Sequence, residues 1–128
     1  MVLDGSKFET IDLFYDEIEA SWGMTSEDWG RNEDAFNDIL RGGFGVPTKN
    51  PPFKLVIHNA PDAQRLLGHN YRIEQLQKRR ETADESWYSE IDADIEEARA
   101  GRGKTTWDEL LEIMQDHAKR GVSVCLEG

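Results

Sequence analysis

Apolar positions fall into helical and strand periods that alternate along the chain. Ile11, Phe14, Tyr15, Ile18 and Trp22 recur at helical spacing, with Thr10 as an N-cap and Gly23 as a stop. A second helix begins after Gly30 with Asn32 as an N-cap, buries Ala35, Phe36, Ile39 and Leu40, and ends at Gly42 and Gly43. Pro47, Pro51 and Pro52 mark a loop. The apolar run FKLVIH (53–58) then reads as a buried strand, and VLDGSKF (2–8) as a first strand interrupted by a turn at Asp4 and Gly5. Near the end, Trp107, Leu110, Leu111, Met114 and Ala118 form a helical stripe. It starts at a capping-box spacing of Thr106 and Glu109 and stops at Gly121, before a last strand over 122–126.

Strands separated by helices pair in parallel through crossovers, so the pattern predicts an α/β fold, a three-stranded parallel sheet packed with helices. Region 60–104 is less regular. It predicts a helix near 71–81, with Lys78, Arg79 and Arg80 at its end, and an amphipathic helix near 84–99. In the second, Trp87, Ile91 and Ile95 stand four residues apart among Asp84, Glu85, Glu90, Asp92, Asp94, Glu96 and Glu97. The 128 residues make one domain, 1–128, with 60–104 as a helical insertion.

Charge narrows the partner. The chain has 26 acidic and 15 basic residues, a net charge of −11, and a pI near 4.6. Nucleic acid and anionic membranes are repelled by such a surface, and a basic protein is attracted. The same acidity also serves solubility alone. A single cysteine, Cys125, lies in an alternating apolar run, which predicts a buried, inert thiol and a reducing compartment. The start of the chain has no signal-peptide pattern and no stretch is long and apolar enough to span a membrane, so the expected location is the cytoplasm.

Motifs for catalysis and cofactors are weak. ARAGRGKT (98–105) matches a loose phosphate-loop pattern with Ala98 for the first glycine, but an acidic helix precedes it where a buried strand is needed. His58, His69 and His117 lack ligand spacing, and Asp92 with Asp94 is not completed into a metal site. No serine or cysteine has a histidine and supporting acid in a recognisable order. The expectation is a binding protein with no catalytic residues, no cofactor and no metal.

The second helix is different. With Phe36, Ile39 and Leu40 turned inward, Asp34, Asn37, Asp38 and Arg41 turn outward. Asp34 suits the first turn of a helix, but Asp38 lies toward the C-terminal end, where a negative charge is disfavoured. Either Arg41 compensates it or the carboxylate is kept to meet a cationic partner.

The sequence WGRNEDAFNDILRGGFG (29–45), followed by Pro47 and the strand FKLVIH, resembles the barstar family of intracellular ribonuclease inhibitors. The G-x-N-x-D-A-Φ-x-D-x-L core is carried by Gly30, Asn32, Asp34, Ala35, Phe36, Asp38 and Leu40. The resemblance covers roughly 2–58 and 105–127 and implies a barstar-like three-layer sandwich. It further implies an inhibitor, or a toxin-immunity protein, that blocks the active site of a small basic ribonuclease with carboxylates in the place of substrate phosphate. Asp38 then falls on the principal anchor, Asp34 on the second acid and Trp29 on an aromatic before the helix. Gly42, Gly43 and Phe44 fall in the loop at the edge of the interface, and Asp116 on a further acid facing the enzyme's basic side. Asn37 stands where the family has a large aromatic, Arg31 replaces an acid and Glu33 an apolar residue. These departures point to a different cognate ribonuclease, with Arg31 meeting an acid on it. The expected free state is a monomer. The alternative is a barstar-fold module whose protein partner is not a nuclease, using 60–104.

Overall fold

A computed structural model describes residues 2–25, 27, 29–41 and 52–128. Strand β1 (Val2–Asp4) is followed by helices α1 (Ile11–Trp22) and α2 (Glu33–Leu40), strand β2 (Phe53–His58), helices α3 (Ala60–Leu66), α4 (His69–Thr82), α5 (Tyr88–Arg99) and α6 (Thr106–Asp116), and strand β3 (Val122–Leu126). The strands lie in the order β1-β2-β3, all parallel. Val2 pairs with Val56, and Leu55 with Val124. The expected parallel α/β sheet is therefore present, with β2 at its centre.

The period of two decides which face carries the core. Leu3, Leu55, Ile57 and Val122 are buried on one face, whereas Val2, Lys54 and Ser123 on the alternate positions are exposed. Phe8, Phe14, Ile18, Phe36, Leu40, Trp107, Leu110 and Met114 complete one continuous core with that face. Edge-to-face ring pairs, Phe8 on Phe14 and Phe14 on Phe36, lock α1 to the first turn and to α2.

Several boundaries differ from the pattern. The first strand does not resume beyond its turn: Asp4 Oδ1 accepts from the Ser6 N–H and hydroxyl and from Asn59 Nδ2, which tightens 5–7 into a 3₁₀ turn. Those hydrogen bonds favour the charged carboxyl and hold the Asp4 pKa well below its usual value. Gly5 allows this turn, since a Cβ there would stand 2.6 Å from the Asn59 carbonyl oxygen. Helix α3 has no counterpart in the periodicity. It is a seven-residue segment that buries Ala63, with Pro61 in its first turn.

The last helix is capped by Thr105 with Asp108, one residue earlier than the equally spaced Thr106 and Glu109. Burial of Thr106 and Trp107 selects that frame. Helix α6 stops at Asp116, so Lys119 and Arg120 lie in a separate 3₁₀ turn before Gly121 at φ 94°. Cys125 is half-buried rather than buried.

Helices α4 and α5 enclose a second, small cluster of Leu76, Ile91 and Ile95, with Ile73 and Ala83 against it. Trp87, expected on that stripe, is 49% exposed. It belongs to a separate 3₁₀ turn capped by Asp84, which rotates it off the helical face. Arg80 closes the pair by bonding Asp92 at 2.7 Å and lying over the Tyr88 ring at 4.1 Å. The base of α4 is tied to the main core: the Tyr71 hydroxyl accepts the Ile11 N–H, and the Trp107 N–H reaches the Leu67 carbonyl, both at 3.0 Å. Among the described residues no helix is long and apolar enough to cross a membrane.

Gly5→Ala should lower unfolding free energy by about 1–3 kcal/mol, because the new Cβ collides with backbone that cannot swing aside. Urea denaturation of the two proteins measures the difference.

Candidate functional site

The surface around α2 is built from the approach loop upward. Arg31 lies in the left-handed region at φ 51°, a conformation costly for a residue with a Cβ. Its guanidinium compensates: Nη1 bonds Glu19 Oε1 at 2.6 Å, and Nη2 meets the Asp12 carbonyl at 2.8 Å and Asp16 Oδ1 at 3.0 Å. The same Glu19 oxygen accepts from Trp29 Nε1 at 3.2 Å. The Trp29 ring stands edge-on to Tyr15 at 5.1 Å, and the Arg31 guanidinium lies 5.8 Å from the Tyr15 ring. Arg31 is thus committed to acids of its own chain, not left to meet an acid on a partner.

Asn32 then caps α2, its Oδ1 accepting the Ala35 N–H at 2.8 Å. Ala35, Phe36, Ile39 and Leu40 are buried, and Asp34, Asp38 and Arg41 are exposed. Asp38 Oδ1 lies 3.5 Å from Arg41 Nη1, so the compensating pair is made. Both side chains are about half exposed, and such a pair is worth only a few tenths of a kcal/mol. A better-placed cation can displace Arg41.

The sequence-predicted residues are only partly brought together. Asp34 and Asp38 share the open face of α2. Trp29 is 6% exposed and packs on α1 through Tyr15 and Glu19, supporting the loop instead of presenting its ring. Asn37 is half-buried and bonds His117 Nε2 through Oδ1 at 2.6 Å. Asp116 is exposed and lines a cleft shared with Glu33, Lys104, Glu109, Glu112 and Ile113, which puts it beside the first residue of α2. Gly42, Gly43 and Phe44 lie outside the described residues.

Two residues that periodicity did not single out matter here. Burial, a hydrogen bond to Glu109 and the Glu109 charge together raise the Glu33 carboxyl to about 7, with Arg72 acting in opposition. Two carboxyls on facing helices share a proton more readily than both ionise. Burial, and next to it the charge of Glu33, also pushes up the Tyr15 hydroxyl beneath. No sequence spacing signals this, because Glu33 and Glu109 meet only when α2 packs on α6.

In the phosphate-loop-like stretch, Arg102 bonds Glu97 at 2.9 Å and Lys104 bonds Glu112 at 2.6 Å, so both cations are engaged within the chain. Among the described residues no group of three or more His, Cys, Asp or Glu side chains is placed to hold a metal ion.

A family model described as Barstar (barnase inhibitor) matches residues 1–98, from β1 into α5. No curated protein matches the chain.

Stability should follow the Glu33 carboxyl with a definite sign. Its folded pKa is raised above the unfolded 4.5, so its stabilising share is complete below pH 4.5 and is lost as pH rises toward about 7. Replacing it by Glu33→Gln should flatten that decline, read as the change in urea midpoint between pH 5 and 7.5. Separately, Arg31→Ala should destabilise the fold by about 1–3 kcal/mol, because it leaves Glu19 without its cation and keeps the strained backbone.

Proposed function

The chain belongs to the barstar family of barnase inhibitors, and on that premise we propose that it binds and blocks the active site of a small basic ribonuclease through the carboxylates of α2. The barstar family is one of inhibitors, not of enzymes, and membership implies a ribonuclease as protein partner. Asp38 is the anchor in this reading and Asp34 its neighbour, the two standing in for substrate phosphate against the cations of the enzyme. Asp116 adds negative charge at the rim, while Trp29 acts from below by setting where α2 begins. The loop carrying Gly42, Gly43 and Phe44 borders the interface.

The observation that carries this reading is the open acidic face of a short helix whose opposite face is wholly in the core. Asp38 is 53% exposed and, among the described residues, pairs with Arg41 at 3.5 Å. The net charge of −11 adds long-range steering toward a basic enzyme. An immunity protein paired with a nuclease toxin would use the same chemistry.

The α4–α5 pair is read as an insertion within one domain. The hydrogen bond from the Trp107 N–H to the Leu67 carbonyl supports this, since it joins the chain before the pair to the chain after it. A non-nuclease protein partner would draw on that pair, whose exposed Trp87 stands beside Asp84 and Glu85.

Screened against small basic ribonucleases, the chain should inhibit its cognate enzyme strongly at low salt and less at high salt. Asp38→Ala should weaken that inhibition about a hundredfold or more, since the enzyme's cations are then left buried without their counter-charge. Inhibition by that variant equal to wild type, or no inhibition of any such ribonuclease, counts against the reading. Deleting the α4–α5 pair tests the second one through capture of partner.

A further inference from the structure

His117 follows the last residue of α6 and is only 1% exposed. Neither the core nor the proposed contact with a ribonuclease makes use of its chemistry. Both ring nitrogens are occupied: Arg120 Nη1 lies 2.9 Å from Nδ1, and Asn37 Oδ1 lies 2.6 Å from Nε2. A guanidinium can only donate, so Nδ1 accepts; the proton of the neutral ring is then on Nε2 and is donated to the Asn37 carbonyl. One tautomer alone satisfies both contacts.

Asn37 stands in the middle of α2, next to Asp38. Around it Phe36, Ile39 and Leu40 enter the core as apolar contacts, while the Asn32 cap and the Glu33–Glu109 contact hold the start of the helix. Apolar contact is non-directional and permits small rotations, whereas a short hydrogen bond to a buried ring fixes rotation and register. We propose that His117 is a positioning residue that sets the register of α2 through Asn37 in its neutral Nε2–H tautomer.

The groups facing His117 are Arg120 from the following turn, Arg41 from the end of α2 and Asp116 from α6. Burial first, then the two guanidiniums, hold the imidazole neutral below its ordinary pKa of 6.5, with Asp116 opposing. An added proton on Nδ1 would point at the Arg120 guanidinium, donor against donor, so that contact is the one lost, while Nε2–H still donates to Asn37. The sign is opposite to that of Glu33: the folded pKa is lowered, so the stabilising share of the Arg120 contact is present above 6.5 and is lost as pH falls below it.

The importance of the clamp for inhibition rests on α2 being the partner-binding helix, but the clamp is tested without a partner. Nitrogen NMR of the histidine rings in the full chain should show the Nε2–H tautomer for His117 at pH 7.5. Asn37→Asp offers the ring a carboxylate, so it should raise the His117 pKa and keep α2 protected. His117→Phe should lower hydrogen-exchange protection of the α2 amides, corrected for the intrinsic rate, about tenfold relative to α1 at pH 7.5. If that variant does not fold, Asn37→Ala on the half-buried side provides the same comparison. An Nδ1–H tautomer, or α2 protection that still follows α1 in His117→Phe and Asn37→Ala, overturns the proposal. Unchanged inhibition by Asp38→Ala would overturn the binding role of α2 and leave the clamp standing.

Discussion

An eight-residue helix does not hold its shape in water by propensity alone, and α2 (Glu33–Leu40) has eight. Every carboxylate it presents depends on what anchors it from below and at its ends. The Asn32 side chain caps its start, and Phe36, Ile39 and Leu40 enter the core. Arg31, strained in its backbone, brings the chain into position through Glu19 and Asp16. Removing any of these loosens the acidic face before it removes any acid from it.

The charges divide into two kinds by burial. Glu19 is nearly enclosed and bonded to both Trp29 and Arg31, so its charge is matched at close range and fixes geometry. Asp34 and Asp38 keep their water, and the ion pair of Asp38 with Arg41 is weak enough to exchange. That division suits a surface that binds by charge: desolvation is deferred until a cation on the partner offsets it. Titration is also concentrated where α2 meets α6, at Glu33 with Glu109 near the N-terminal end and at Asn37 with His117 farther along. The two contacts tie α2 at two points along its length.

The α4–α5 pair has its own small apolar cluster but is not independent of the core. Tyr71 is buried in the main core and accepts a hydrogen bond from the first residue of α1, while Arg72 reaches Glu109 on α6 at 3.8 Å. Its base is therefore coupled to the acidic cleft beside α2. The tip, with Trp87 exposed, is free of that constraint.

Local patterns determined much of this protein. Thr10 and Gly23 bounded α1, Asn32 capped α2, and FKLVIH was the central strand, because capping, φ > 0 stops and apolar runs act over a few residues. The spacing around Asp34 and Asp38 likewise marked the acidic face and the family. Tertiary structure decided the remainder. It put Trp29 beneath the surface, committed Arg31 to α1, moved the last cap from Thr106 to Thr105, and took Trp87 off its stripe. It also joined Asn37 to a histidine 80 positions away and Glu33 to Glu109. Hydrogen bonds and proton sharing between side chains distant in sequence depend on how the helices pack, and no local period encodes that packing.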